Sequence, residues 1–186
     1  KIEGQENVPI KGAALLAPNH GSYVDALLLG ATIQRFVRFV MWKKFYDVPV
    51  LRTLLKIMEV IPIAPEEGRD SVSQSLAQAR EKIQEGHVVC IFPEGQITRD
   101  GELSEFRPGF ETIMKDINAP IIPVYLHNVW GSIFSYARGK ALWKIPRRIP
   151  YRVRVIYGTP LPGSASAEEL EAAVRELEKK CKQESA

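Results

Sequence analysis

Short apolar runs alternate along this chain with segments whose apolar residues recur at helical spacing, and that alternation decides the fold class. In the clearest unit, Val72, Leu76, Ala79 and Ile83 share one helical stripe, with Asp70 expected as N-cap and Gly86 as the stop. Val88 to Phe92 then reads as a buried strand. Upstream, Ala13 to Ala17 and Phe36 to Trp42 predict strands, and Val24 to Ile33 a buried helix. Lys43 to Met58 reads as one helix with Leu51, Leu54, Leu55 and Met58 as its apolar stripe, Pro49 shifting or kinking its start. Val60 to Ile63 is a short strand whose proline places it near an edge or bulge. Downstream, Pro108, Phe110, Ile113, Met114 and Ile117 mark a helix with Pro108 in its first turn and Asn118 at its end, and Ile121 to Leu126 a strand. Tyr151 to Tyr157 alternates as a strand with one wet face would. Ser166 to Glu169 forms a capping box for a last helix with Leu170, Val174, Leu177 and Cys181 inward. The expectation is a single α/β domain with a mixed central β-sheet flanked by helices.

Length agrees with one domain: 186 residues bury about 70% of the unfolded chain's surface without staples. With only Cys90 and Cys181, a disulfide framework or cysteine-rich zinc site is excluded, and both sit at apolar-pattern positions as core thiols. The longest uncharged run, Ile117 to Ala137, is interrupted by Pro120, Pro123, Asn118, Asn128 and Gly131, so it reads as strand and loops rather than a membrane span. The chain starts at Lys1 with no signal peptide, which predicts a reducing compartment and a piece (residues 1–186) excised from a longer protein.

Charge is divided unevenly. Ile117 to Ala167 holds no acid but Arg138, Lys140, Lys144, Arg147, Arg148, Arg152 and Arg154. Ile33 to Lys56 sets Arg35, Arg38, Lys43, Lys44, Arg52 and Lys56 against Asp47 alone. Phe36, Phe39, Trp42, Phe45 and Tyr46 are interleaved in one segment, and Trp130, Phe134, Tyr136 and Trp143 in the other. Such mixtures suit an anionic membrane surface, at about 1 kcal/mol per base. Nucleic acid attracts the same charges, but no recognised nucleic-acid module is present. A solvated basic face over ordinary core aromatics is the plainer alternative.

Two segments carry chemistry. His20 stands in Asn19-His20-Gly21-Ser22-Tyr23-Val24-Asp25, a strand-to-helix turn in which Gly21 supplies backbone freedom. If the turn folds back, Asp25 accepts a hydrogen bond from one ring nitrogen and leaves the other as a general base. The same spacing also describes a surface or capping pair. Phe92-Pro93-Glu94-Gly95 leaves the buried strand, where Gly95 would let backbone N–H groups approach an anion and Arg99 would add a charged fork. Glu94 repels a phosphate, so it suits a hydroxyl or the orientation of a base. A plain Pro-Glu-Gly turn is the alternative. Ser22 is a poor nucleophile for a histidine two residues away, and His87 and His127 read as structural.

Taken together, the H-x₄-D segment at His20 to Asp25 preceded by Asn19, the F-P-E-G segment at Phe92 to Gly95 and Ile122-Pro123-Val124-Tyr125 resemble the glycerolipid acyltransferases, the 1-acylglycerol-3-phosphate acyltransferases and their relatives, from about Glu3 to Pro160. The resemblance implies that His20 deprotonates the acceptor hydroxyl while Asp25 holds it. The hydroxyl then attacks an acyl thioester, with no acyl-enzyme, bound cofactor or metal. It further implies that Glu94 and Gly95 help hold the acceptor's glycerophosphate, with Asn19, Phe92, Pro93, Arg99 and Pro123 in the substrate site.

One departure concerns the acceptor. The family usually carries a G-x₄-[DN]-R motif whose arginine meets the phosphate, whereas this chain has Glu59-Val60-Ile61-Pro62-Ile63-Ala64-Pro65 there, with Arg69 four residues late. A lost arginine fits a diester phosphate with one charge. The Phe92-Pro93-Glu94-Gly95-Gln96-Ile97-Thr98-Arg99-Asp100-Gly101 stretch, together with the missing arginine, is similar to the acyltransferase part of bacterial 2-acylglycerophosphoethanolamine acyltransferase/acyl-carrier-protein synthetase fusions. The expected partners are acyl carrier protein or coenzyme A thioesters, a lysophospholipid (lysophosphatidylethanolamine first, lysophosphatidate as alternative), an anionic membrane surface on the cytoplasmic side of the inner membrane and a fused synthetase domain. A non-catalytic lipid- or carrier-binding module and a thioesterase are the competing functions.

Overall fold

The computed structural model describes residues 1–137, 139 and 152–185. Its elements in order are β1 (Ile2–Glu3), β2 (Ala14–Pro18), α1 (Asp25–Thr32), β3 (Val37–Trp42), α2 (Pro49–Ile57), β4 (Ile61–Ile63), α3 (Arg69–Gln84), β5 (Val88–Cys90), α4 (Gly109–Met114), β6 (Ile121–His127), β7 (Arg154–Tyr157) and α5 (Ala167–Ser185). One seven-stranded sheet runs β1-β7-β6-β2-β5-β3-β4, with every pair parallel except β6–β7. This is the mixed α/β sheet the sequence predicts, and the proline-bearing β4 is an edge strand.

Alternation along β2 explains the layers. Leu15 and Ala17 face one way, into a core with Leu76, Ala79 and Ile83 of α3, Phe110 and Ile113 of α4, and Leu170 and Val174 of α5. Ala14 and Leu16 face the other way, against Ala26 and Leu29 of α1 with Phe39 and Tyr157. Both cysteines are fully buried, one in each core. The capping box forms reciprocally: Ser166 N–H donates to the Glu169 carboxylate at 2.8 Å, and Glu169 N–H to Ser166 Oγ at 3.2 Å.

Four expectations need correction. Lys43 to Met58 is not one helix: Lys43–Asp47 is a 3₁₀ turn and α2 begins at Pro49, which lacks the N–H a continuous helix needs. Leu55 is buried, but Leu54 and Ile57 are 46% and 68% exposed. Asp70 is not the cap of α3; Gly68 is, and Asp70 sits in the first turn, where its charge favours the helix dipole. Pro108 caps α4 rather than entering it, and the helix stops before Ile117. The last strand is wet on one face only at its start, where Arg152 is exposed and Arg154 half-buried; Ile156 on that face enters one core and Val155 and Tyr157 the other. Arg138, Lys140, Trp143, Lys144, Arg147, Arg148 and Tyr151 lie outside the described residues.

Candidate active site

The parallel strands β2, β5, β3 and β4 end on one edge, and loops leaving that edge build the site, as open α/β sheets favour. The loop after β2 is pinned by Asn19, whose Oδ1 accepts the Leu126 N–H at 2.7 Å and whose Nδ2 donates to the Leu126 carbonyl at 3.3 Å. Gly21 is required for space rather than backbone freedom: a Cβ there would lie 2.6 Å from Val129 Cγ2.

Asp25, the first residue of α1, is fully buried. Its Oδ2 takes the N–H groups of Gly21 and Ser22 at 2.8 Å each and His20 Nδ1 at 2.9 Å. Its Oδ1 accepts the Ser22 hydroxyl at 2.5 Å, which turns Ser22 away from nucleophilic work. With Nδ1–H donated to the carboxylate, His20 carries its lone pair on Nε2. Phe92 stacks on the imidazole, ring centroids 4.0 Å apart at 23°. The ring is therefore held by its edge and by one face.

Glu94 is 2% exposed and lies beneath the loop. Its Oε1 accepts the His20 N–H at 2.7 Å and its Oε2 the Ser104 N–H at 3.0 Å. Burial raises its pKa above the usual carboxyl value. Of the roles open to Glu94, the structure favours orienting the base over binding substrate. The Gly95 N–H is also occupied, by the Phe92 carbonyl at 3.0 Å, so it is not offered to an anion. Gly95 has φ +71°, and a Cβ there would sit 3.1 Å from Arg107 Nε.

His20 opens onto a cavity of about 630 Å³, within the range of small-molecule sites. Val40, Ile63, Val72, Leu76, Ile91 and Phe110 form apolar wall, while His20, Tyr23, Arg99, Arg107, Tyr136 and Glu66 bring polar groups to it. Phe92, Pro93, Gly95 and Arg99 line it. Asn19, Asp25, Glu94 and Pro123 do not; Pro123 lies buried in β6, its carbonyl accepting the Gly158 N–H at 2.8 Å. Arg69 is exposed in the first turn of α3 and lines no part of the cavity. No sequence pattern marks Arg107, Tyr23 or Tyr136 as site residues; Arg107 and Tyr136 sit in irregular loops without periodicity. His87 pairs with Glu85 at 3.3 Å, and burial lowers the pKa of His127. Burial pushes the Cys90 thiol well up, which keeps it an unreactive core group.

A protein-family model described as Acyltransferase matches residues 1–127, which include both His20–Asp25 and Phe92–Gly95. The chain belongs to the acyltransferase family. It is similar to the 1-acyl-sn-glycerol-3-phosphate acyltransferase of Bacillus subtilis, 26% identical over 196 residues that cover 98% of this chain and 90% of that protein. It is also similar to a chloroplastic enzyme of the same name from Brassica napus, 29% identical over 126 residues, 67% of this chain and 36% of that one. A probable 1-acyl-sn-glycerol-3-phosphate acyltransferase of Mycoplasma pneumoniae is 27% identical over 86% of this chain and 60% of its own. The chain thus spans less than two thirds of two of these three relatives. The crystal structure of the 1-acyl-sn-glycerophosphate acyltransferase PlsC from Thermotoga maritima superposes with a TM-score of 0.70 at 22% identity, covering 98% of this chain and 70% of that one, and shares the fold. In this acyltransferase the guanidinium groups lining the cavity, among the described residues, are Arg99 and Arg107, both downstream of the Phe-Pro-Glu-Gly segment.

Proposed function

We propose that this acyltransferase moves a fatty acyl group from a thioester, carried by acyl carrier protein or coenzyme A, to the free hydroxyl of a lysophospholipid. The observation that carries the reading is the His20 Nδ1–Asp25 Oδ2 contact of 2.9 Å at the wall of an apolar cavity. Nε2 takes the acceptor's hydroxyl proton as its oxygen bonds to the thioester carbonyl carbon. The tetrahedral adduct then collapses, the C–S bond breaks, and the departing sulfur takes the proton back from the imidazolium. The Asp25 carboxylate accepts the Nδ1–H and stabilises that imidazolium.

For the acceptor, the geometry and the names of the relatives favour 1-acylglycerol 3-phosphate. Arg99 and Arg107 bring two cations to the cavity, which offsets the missing arginine before α3. Lysophosphatidylethanolamine is the second reading, supported by that missing arginine together with Glu66, whose carboxylate lines the cavity where an ammonium head group would be attracted. Initial rates on a panel of both acceptors, each with either carrier, separate them: a clear preference for lysophosphatidylethanolamine overturns the first reading.

A membrane surface is the proposed setting, peripheral and on the cytoplasmic side. Support comes from α2, where exposed Leu54 and Ile57 stand beside exposed Arg52 and Lys56, and from half-exposed Trp42 on the cavity wall. Among the described residues no helix is long and apolar enough to cross a bilayer. A fused synthetase domain remains part of the proposal only as a source of acyl thioester.

A further inference from the structure

Arg99 does not reach the cavity as a free side chain. Its guanidinium carbon lies 3.8 Å from the centre of the Tyr136 ring, a stacked cation–π contact. Tyr136 belongs to the turns after β6, beyond residue 127, where the match to the family model ends. With the Tyr136 ring this close to its guanidinium carbon, Arg99 is held on one side while its N–H groups are left for a further partner. Among the described residues those groups have no carboxylate or carbonyl partner, although Arg99, Tyr136 and His20 line the same cavity.

Tyr136 is itself held. Its hydroxyl hydrogen-bonds that of Tyr23, and the two rings lie 5.7 Å apart at 57°. Tyr23 sits between His20 and Asp25 in sequence and packs edge-on against Phe45 at 6.1 Å. Two neutral hydroxyls carry two protons, and only one is used between them. The other is available as a donor in the cavity that Arg99 also lines. Burial, followed by the contact with Tyr136, raises the Tyr23 pKa to about 12, so that proton stays on at neutral pH.

We infer that Tyr136 is a positioning residue for the acceptor's phosphate, holding Arg99 as a planar fork by stacking and supplying with Tyr23 the hydroxyl donor in the same cavity. The inference rests on the acyl-transfer reading for its substrate, but the anion subsite is a property of these three side chains. A phosphate offers in-plane oxygen pairs to the fork and a further oxygen to the hydroxyl, a geometry that an uncharged glycerol hydroxyl cannot reproduce.

The test is a binding titration of 1-hexanoylglycerol 3-phosphate below its micelle concentration, against 1-hexanoylglycerol, with initial rates on the same acceptors. Tyr136→Leu is expected to weaken binding of the phosphate compound about tenfold and to raise its KM in step, with kcat little changed. Binding of 1-hexanoylglycerol stays as in wild type. Tyr136→Phe keeps the stack and recovers most of the loss. In an Arg99→Ala background, Tyr136→Leu costs much less than it does in wild type, since the contact with Arg99 is already gone and Tyr23 still offers its hydroxyl. Equal losses for both compounds, or additive effects of the two substitutions, overturn the inference, as does unaltered phosphate binding. If Tyr136→Leu does not fold, the comparison of Tyr136→Phe with Arg99→Lys decides: Arg99→Lys must lose phosphate binding despite keeping its charge. Tyr136-dependent phosphate binding without any acyl transfer would sustain the subsite and sink the acyltransferase reading.

Discussion

The buried carboxylate of Glu94 accepts the backbone N–H of His20 at 2.7 Å, which joins the two motif segments 74 residues apart. The loop after β5 returns the contact, because Thr98 N–H donates to the His20 carbonyl at 2.9 Å. Both backbone groups of the proposed base are therefore held by the Phe-Pro-Glu-Gly loop. Its side chain is held separately, by Asp25 and Phe92.

Removing Glu94 should affect stability and rate together. Glu94→Ala leaves the half-buried N–H groups of His20 and Ser104 without their acceptor, at up to ~1–3 kcal/mol each. Urea unfolding should show a loss of that order, and acyl transfer should fall further than the unfolded fraction explains. An unchanged unfolding midpoint would remove Glu94 from the scaffold of the site.

The same residue makes a pH prediction. Burial raises the folded-state pKa of Glu94 above its value of 4.5 in an exposed carboxyl. Between those two values the folded protein binds more protons than the unfolded one, so this group's contribution to stability falls as pH rises through the window. Glu94→Gln has no proton to lose. The stability of wild type relative to Glu94→Gln should therefore be greater at pH 5 than at pH 7, measured by urea unfolding at both.

Gly95→Ala tests the tight turn. A left-handed backbone costs a non-glycine residue ~1–2 kcal/mol, and the new Cβ presses on the Arg107 side chain at 3.1 Å. Reduced thermal stability with a raised acceptor KM is the expected result, and wild-type values for both would contradict it.

Membrane docking is separable from catalysis at α2. Leu54→Ser and Ile57→Ser alter side chains 46% and 68% exposed, where stability changes stay within about 0.5 kcal/mol. The double variant should lose sedimentation with anionic phosphatidylglycerol vesicles while retaining its rate on a dispersed short-chain acceptor. Unchanged vesicle binding would place the docking surface elsewhere.

The layered fold was legible because buried strands and helical stripes differ in period, as Val88–Cys90 and the Leu76–Ala79–Ile83 face of α3 illustrate. His20 and Asp25 were legible because both belong to one segment of six residues. The side on which Glu94 would point was not, since a carboxylate after a strand suits the cavity and the underside of the loop equally until Ser104 is placed. α2 misled because its apolar spacing is real, yet Leu54 of the expected stripe faces outward while Leu55 is buried. The stacking of Arg99 on Tyr136 had no sequence signal, because a contact between two loops leaves no periodicity.

The central claim is that His20 is the base for transfer to an alcohol. It is tested most directly by following a labelled acyl group from acyl carrier protein to lysophosphatidate and to free fatty acid, in wild type beside His20→Ala. Lipid product should exceed free fatty acid in wild type, and His20→Ala should reduce it by ~10²–10⁴-fold with its unfolding midpoint and vesicle binding preserved. Transfer that persists within a few-fold in His20→Ala, or release of fatty acid in place of acylated lipid, would contradict the account.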